Sequence, residues 1–230
     1  MLVMDEKVGD INDIKGNVHA LYSWLHILNG LRDEAKRKEI REKYFSFMFV
    51  RHPFERLVSA YRHKFEGAKD GMRSTAVKIR RMYRNNLTDS QYKSGVGVTF
   101  NEFIKYIIHV YDKKGVMALN GHWKTFFGLC DPCTQSYNYI GKYETFSEDS
   151  EYILTKTGWS DRIKLDRFNG YNISSRNLME YYFTTIDNKT IDTLYKIYEN
   201  YFHAFGYKKP DFSSNHAHKK LSKSKILSRV

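Results

Sequence analysis

The chain has 230 residues, enough for one domain with a tail, and an apolar share of 41% that can build a real core. No run of about 18 apolar residues occurs, so nothing in the sequence reads as a membrane-spanning helix, and the short, acidic-flanked start at Met1 is unlike a signal peptide. The formal net charge of +12 suits an anionic ligand: nucleic acid, phosphate, a sulfated or uronate-bearing glycan, or a membrane surface. In chain order, residues 17–31 read as a helix or helix–loop with apolar Leu21, Trp24, Leu25 and Leu28, and residues 34–43 as a charged, solvated stretch. Residues 44–50 form a nearly continuous apolar run that predicts a buried parallel strand. Pro53 then suits a first helical turn, and Phe54, Leu57, Val58, Tyr61 and Phe65 recur at helical spacing behind it. Residues 76–86 are strongly basic (Lys78, Arg80, Arg81, Arg84). Thr99 and Glu102 predict a capping box ahead of a helix carrying Phe103, Ile104, Ile107 and Ile108. A second strand is expected over 137–143, a helix over 147–157 ended by Gly158, a polar loop over 166–175 and a last long helix over 187–205. Strands separated by helices predict an α/β layer with a parallel sheet flanked by helices. The domain is expected to span residues 1–207, with a basic, disordered tail over 208–230.

The strand, basic turn and helix around residues 44–65 carry the chemistry. Arg51 falls at the carboxyl end of the strand, where open α/β sheets bind ligands. Its planar guanidinium can grip a phosphate through two parallel hydrogen bonds. Ser59, on the following helix, offers a hydroxyl to the same phosphate. An arginine that merely ends a strand and a serine packed in a helix would give the same spacing. Only two cysteines occur, Cys130 and Cys133, too few for a four-cysteine zinc site within the chain, and no metal-ligand spacing appears. They suit a local disulfide or a redox dithiol. Sequons stand at Asn86, Asn172 and Asn188.

The stretch from Arg51 to Phe65 resembles the 3′-phosphate-binding motif of the Golgi carbohydrate sulfotransferases, Arg-x-Pro-x-x-Arg-x-x-Ser. The likeness is closest to the branch of the chondroitin and dermatan 4-O-sulfotransferases and the HNK-1 sulfotransferase. Two later pieces match that branch in order and spacing: His122 and Trp123 followed by Leu129, Cys130, Pro132 and Cys133, then Gly141 to Thr145 with Glu148 and Asp149. The resemblance implies a P-loop-like sulfotransferase fold and transfer of sulfate from 3′-phosphoadenosine 5′-phosphosulfate (PAPS) to a sugar hydroxyl of a glycosaminoglycan or glycoprotein glycan, without a metal. It implies that Arg51 and Ser59 grip the 3′-phosphate and that Arg176, in a similarly placed Ser-x-Arg, closes over the nucleotide. His19, in Asn17-Val18-His19-Ala20, is placed like the base of the related uronyl 2-O-sulfotransferases, and it and His122 are the two candidates for the base. Imidazole suits that post because it titrates near neutrality. The acceptor is an acidic or neutral glycan, which the basic helix around Lys78 could meet; the family place is the Golgi lumen, as a type II membrane protein.

The family's Pro-Lys-x-x-Cys/Gly-Thr-x-Trp loop, which cradles the phosphosulfate after the first strand, has no counterpart here. The expectation is therefore a sheet missing its first strand, no membrane anchor in this chain, and weak or no turnover by these residues alone. Two other readings compete: a sulfotransferase-like protein that binds nucleotide or glycan without turnover, and a basic nucleic-acid-binding domain. The last is disfavoured because the aromatics lie on amphipathic core faces rather than on an exposed stacking surface.

Overall fold

The computed structural model describes residues 33–66, 72–85, 88, 97–165 and 175–212. The helix expected over 17–31, the sequons at Asn86 and Asn172, and residues 213–230 lie outside the described residues. The chain divides into two compact units, Met1–Ser46 and Phe47–Val230.

In the first unit, α1 spans Glu34–Lys43. Asp33 caps it by accepting a hydrogen bond from the Lys36 N–H at 3.2 Å, and Lys43 pairs with Glu39 one turn back at 2.6 Å. The N–H of Tyr44 closes this helix on the carbonyl of Ile40. Residues 44–46 are therefore not strand, and the strand expected over 44–50 is confined to β1, Phe47–Val50.

In the second unit β1 pairs in parallel with β2, Tyr139–Lys142, in the register Phe47↔Tyr139 to Val50↔Lys142. The sheet of the described residues has these two strands. Met48 and Val50 are buried but Phe47 is 47% exposed, so β1 is half-buried rather than buried on both faces. Phe49 faces Gly141 across the ladder, and a Cβ at Gly141 would come within 2.6 Å of the Phe49 ring. Glycine is what lets that ring lie across β2.

The helix α2, Pro53–Tyr61, runs from Pro53 at its first turn into a π-helical turn, Arg62–Glu66. Phe54, Leu57, Val58, Tyr61 and Phe65 are all buried, as the periodicity predicts. Beyond it come α3, Arg73–Tyr83, and α4, Phe100–Lys114. At the start of α4 the Thr99–Glu102 capping box forms in both directions. A four-residue turn α5, Phe127–Cys130, precedes β2. The next helix, α6, Phe146–Thr157, ends on Gly158 in the left-handed region, φ 72°. Then follow α7, Ser175–Phe183, which no periodicity announced, and α8, Asn188–Ala204, capped by Asp187.

The main core gathers Phe54 and Leu57 of α2, Phe103, Ile104 and Ile107 of α4, Phe183 of α7, and Leu194, Tyr198 and Phe202 of α8. Each such side chain contributes about 1.5–3 kcal/mol on burial. Phe183 stacks on Phe54 at 4.6 Å and on Phe212 at 4.9 Å. The chain from Lys208 to Phe212 thus lies along this body, with Phe212 buried and Lys209 paired to Asp192 at 2.6 Å. A second cluster joins Met48 and Val50 of β1 to Tyr201 and Phe205 of α8. Among the described residues no helix is long and apolar enough to cross a membrane.

Candidate functional site

The carboxyl end of β1 runs straight into the Arg51–His52 loop and the first turn of α2. The loop is held at its backbone. The Tyr201 hydroxyl donates to the Arg51 carbonyl at 2.9 Å and accepts from the Arg51 N–H at 3.3 Å. Burial pushes the Tyr201 phenol up, so it stays protonated. Glu144, just past β2, accepts from the His52 N–H at 2.7 Å and from the Tyr207 hydroxyl at 2.9 Å. The His52 ring packs edge-on against Phe202 and Tyr207, and burial lowers its pKa, so it is a neutral packing group.

With its backbone fixed, the Arg51 guanidinium reaches into a corner lined by three other elements. Its face lies 4.3 Å from the centre of the Tyr143 ring. One terminal nitrogen donates to Ser175 Oγ, at the start of α7, at 2.8 Å. Its Nε is 3.8 Å from Glu55 Oε2, and it is buried without a hydrogen bond. Burial raises the pKa of Glu55, with the Arg51 charge opposing and the Glu144 charge reinforcing that shift. These are weak holds for a guanidinium that can make two parallel bonds to an anion.

Ser59 lies on α2 one turn past Glu55, with an exposed side chain, on the same ridge of the helix. No hydrogen bond joins Ser59 to Arg51. Arg176 follows Ser175 directly, its side chain mostly exposed and 3.4 Å from Glu180. Its charge acts on both Glu55 and His52. The start of α7 therefore brings a hydroxyl and a second cation towards the Arg51 corner, with the hydroxyl of Ser175 a partner the sequence reading did not single out. Asp149 ties the β2 end of the corner together, accepting from the Lys142 N–H, the Tyr139 hydroxyl and the Thr145 hydroxyl at 2.6, 2.7 and 2.7 Å. Burial works against its charge, but these donors hold its carboxyl below the usual range.

His122 sits on a turn fastened to the other side of α2. Arg56 donates to the Gly121 carbonyl at 2.8 Å and the Lys124 carbonyl at 2.5 Å, and its guanidinium covers the Phe126 ring at 4.6 Å. Phe126 also stacks with Tyr201 at 5.5 Å. Trp123 is buried, and its carbonyl accepts from the Tyr198 hydroxyl. The His122 ring is exposed, with Nδ1 2.7 Å from Asn120 Oδ1. Arg56 is the residue that the sequence reading passed over: it stands in the motif, but nothing in the spacing tells its role from that of Arg51.

His19 lies outside the described residues. Cys130 is half-buried against the β1–α8 cluster and Cys133 is exposed; both are thiols here. Burial raises the Cys130 thiol, which makes it less reactive at neutral pH. Among the described residues no cluster of three or more His, Cys, Asp or Glu could hold a metal ion.

The sulfotransferase family model matches residues 1–208. Zebrafish carbohydrate sulfotransferase 14 is 34% identical over 193 residues, covering 84% of this chain and 51% of that protein. Rat carbohydrate sulfotransferase 11 is 35% identical over 173 residues, 74% of this chain and 49% of its own length. Human carbohydrate sulfotransferase 10 is 31% identical over 225 residues, 94% of this chain and 62% of its own. The chain spans about half the length of the first two of these relatives. No solved structure matches it significantly.

Proposed function

As this chain belongs to the sulfotransferase family, we propose that the protein it forms transfers sulfate from PAPS to a hydroxyl of a glycan, with a 4-hydroxyl of chondroitin or dermatan the favoured acceptor. The observation that carries this reading is the Arg51 corner. A guanidinium at the carboxyl end of a parallel strand, its backbone locked by Tyr201 and its side chain loosely held, is built to accept a phosphate.

In this reading Arg51 takes the 3′-phosphate of the donor, with Ser59 completing the grip from the helix that follows. Arg176 approaches from the start of α7 and adds positive charge over the nucleotide. The sugar oxygen attacks sulfur in line, the bond from sulfur to the bridging phosphate oxygen breaks, and adenosine 3′,5′-bisphosphate leaves. The hydroxyl proton passes to a histidine, His19 or His122. The basic face of α3 offers Lys78 and Arg81 to an acidic acceptor chain. Three readings go with this one: the Golgi lumen as the place of action, membrane attachment of the whole protein, and a glycan at Asn188.

The test is transfer of radiolabelled sulfate from PAPS by protein expressed from its whole coding sequence, on desulfated chondroitin, dermatan and HNK-1-type acceptors. Label on the 4-hydroxyl of N-acetylgalactosamine supports the favoured acceptor. Label on another sugar keeps the reaction and moves the acceptor. Absence of label with every acceptor, despite nucleotide binding, would replace the enzyme by a binding protein.

A further inference from the structure

We infer that Tyr143 is a positioning residue for the donor's 3′-phosphate: its ring seats the Arg51 guanidinium in the corner while leaving the donors of that guanidinium to the ligand. The inference rests on the reading of Arg51 as the phosphate ligand, and it names the residue that holds that ligand ready.

An arginine that is to grip a phosphate has two conflicting needs. It must be held in place, because a long side chain gives up rotamer freedom when it binds, and one already seated gives up less. It must also keep its N–H groups, because a carboxylate or carbonyl that holds the arginine through those groups competes with the phosphate for them. A ring face resolves the conflict: it attracts the charge but offers no acceptor oxygen. The Arg51 guanidinium carbon lies over the Tyr143 ring, 4.3 Å from its centre. The other contacts are slight. One terminal nitrogen donates to Ser175 Oγ at 2.8 Å, and Nε stands 3.8 Å from Glu55 Oε2, beyond hydrogen-bond reach. Arg84 shows the alternative, with Nε and one terminal nitrogen spent on Glu102 and that same nitrogen also on the Gly97 carbonyl.

Tyr143 can act as a seat because its own turn is fixed to the Arg51 loop. The parallel ladder ends on the pair Val50–Lys142, and Arg51 and Tyr143 are the next residue on each side. One residue further on, Glu144 accepts from the His52 N–H at 2.7 Å. On the other side of Tyr143, Asp149 accepts from the Lys142 N–H at 2.6 Å. The Phe146 ring lies 6.3 Å from the Tyr143 ring and is itself packed 5.0 Å from Phe49 of β1. The ring is 43% exposed, so it borders the open corner rather than the core.

The test is calorimetric titration with adenosine 3′,5′-bisphosphate and adenosine 5′-monophosphate, on protein expressed from its whole coding sequence. Tyr143→Leu should weaken the bisphosphate roughly 3- to 10-fold, the worth of one partly exposed cation–π contact, and leave the monophosphate nearly unchanged. Tyr143→Phe, which keeps the ring face, should stay within about twofold of wild type. Placed on Arg51→Ala, Tyr143→Leu should add nothing, because the residue acts through that guanidinium. Tyr143→pentafluorophenylalanine keeps the shape of the ring and inverts the charge of its face, so it should reproduce the leucine loss in a protein that folds as wild type does. Full affinity in the leucine or fluorinated variant overturns the inference. So does an equal loss for both nucleotides, which would put the ring against the nucleoside, or a further loss on top of Arg51→Ala. If wild type binds neither nucleotide, or Arg51→Ala keeps full affinity for the bisphosphate, the phosphate reading itself fails and takes the role of Tyr143 with it.

Discussion

Arg51 and Arg56 stand five residues apart on the same motif and are held in opposite ways. Arg56 gives its donors to the carbonyls of Gly121 and Lys124 and its face to Phe126, contacts that bind one segment of the fold to another. Arg51 has its backbone held while its guanidinium makes one bond to a serine hydroxyl, a ring contact and a carboxylate approach at 3.8 Å. A half-buried arginine with carbonyl partners is committed to structure, because removing it strands those acceptors. One with exchangeable partners can trade them for an anion at little cost. The difference between a ligand residue and a scaffold residue lies in these partners, and the pattern of residue types does not contain it.

Substitutions can break this contrast. The largest expected effect is on the turn that Arg56 holds: Trp123→Ala should cost about 3–5 kcal/mol of stability in urea unfolding, while neighbouring His122→Ala should change it by less than about 0.5 kcal/mol. Next, Arg56→Ala should cost about 2–4 kcal/mol through two unpaired carbonyls and an uncovered ring, with Arg56→Lys recovering only part. A fall in nucleotide affinity without a fall in stability for Arg56→Ala would reverse the two roles.

The carboxylates repeat the contrast with smaller, pH-dependent effects. Glu102 is gripped by Arg84 at 2.5 and 2.7 Å and by the Thr99 N–H. Burial works against its charge, but these bonds win and lower its pKa. Its contribution is present above the ordinary glutamate range and is lost as pH falls through the lowered folded value. Glu55 goes the other way, since burial raises its pKa beyond what Arg51 offsets. The folded state then holds the proton more tightly, so this group subtracts stability as pH rises from the ordinary range through the raised folded value. In stability measured between about pH 3 and 7, Glu102→Gln should remove an acid-side loss and Glu55→Gln should remove a loss towards neutrality. The same sign for both would mean that the Arg51–Glu55 pair is as tight as Arg84–Glu102.

Periodic apolar positions made α2, α4 and α8 legible, because one buried face repeats at helical spacing whatever the partner. The capping box at Thr99 and the stop at Gly158 were legible because each is local chemistry. Residues 44–50 misled at their start: apolar character cannot divide Tyr44, which closes a helix, from Phe47, which opens a strand. The helix α7 was missed because its two flanks differ, a polar segment before Ser175 and an immediate turn after Phe183. At the site, Arg51 could be named from its place after a strand. Its partners Ser175, Tyr143 and Tyr201 could not, since they come from positions about 90 to 150 residues away that only tertiary packing brings together.

The central claim is that Arg51 receives the 3′-phosphate of the donor nucleotide. Calorimetric titration of wild type and Arg51→Ala with adenosine 3′,5′-bisphosphate and with adenosine 5′-monophosphate tests it most directly, because the two ligands differ only in that phosphate. The account predicts that Arg51→Ala weakens the bisphosphate by roughly 30- to 150-fold, the loss of a charge-assisted bidentate contact, and leaves the monophosphate nearly unchanged. An equal loss for both nucleotides, or none for either, would contradict it.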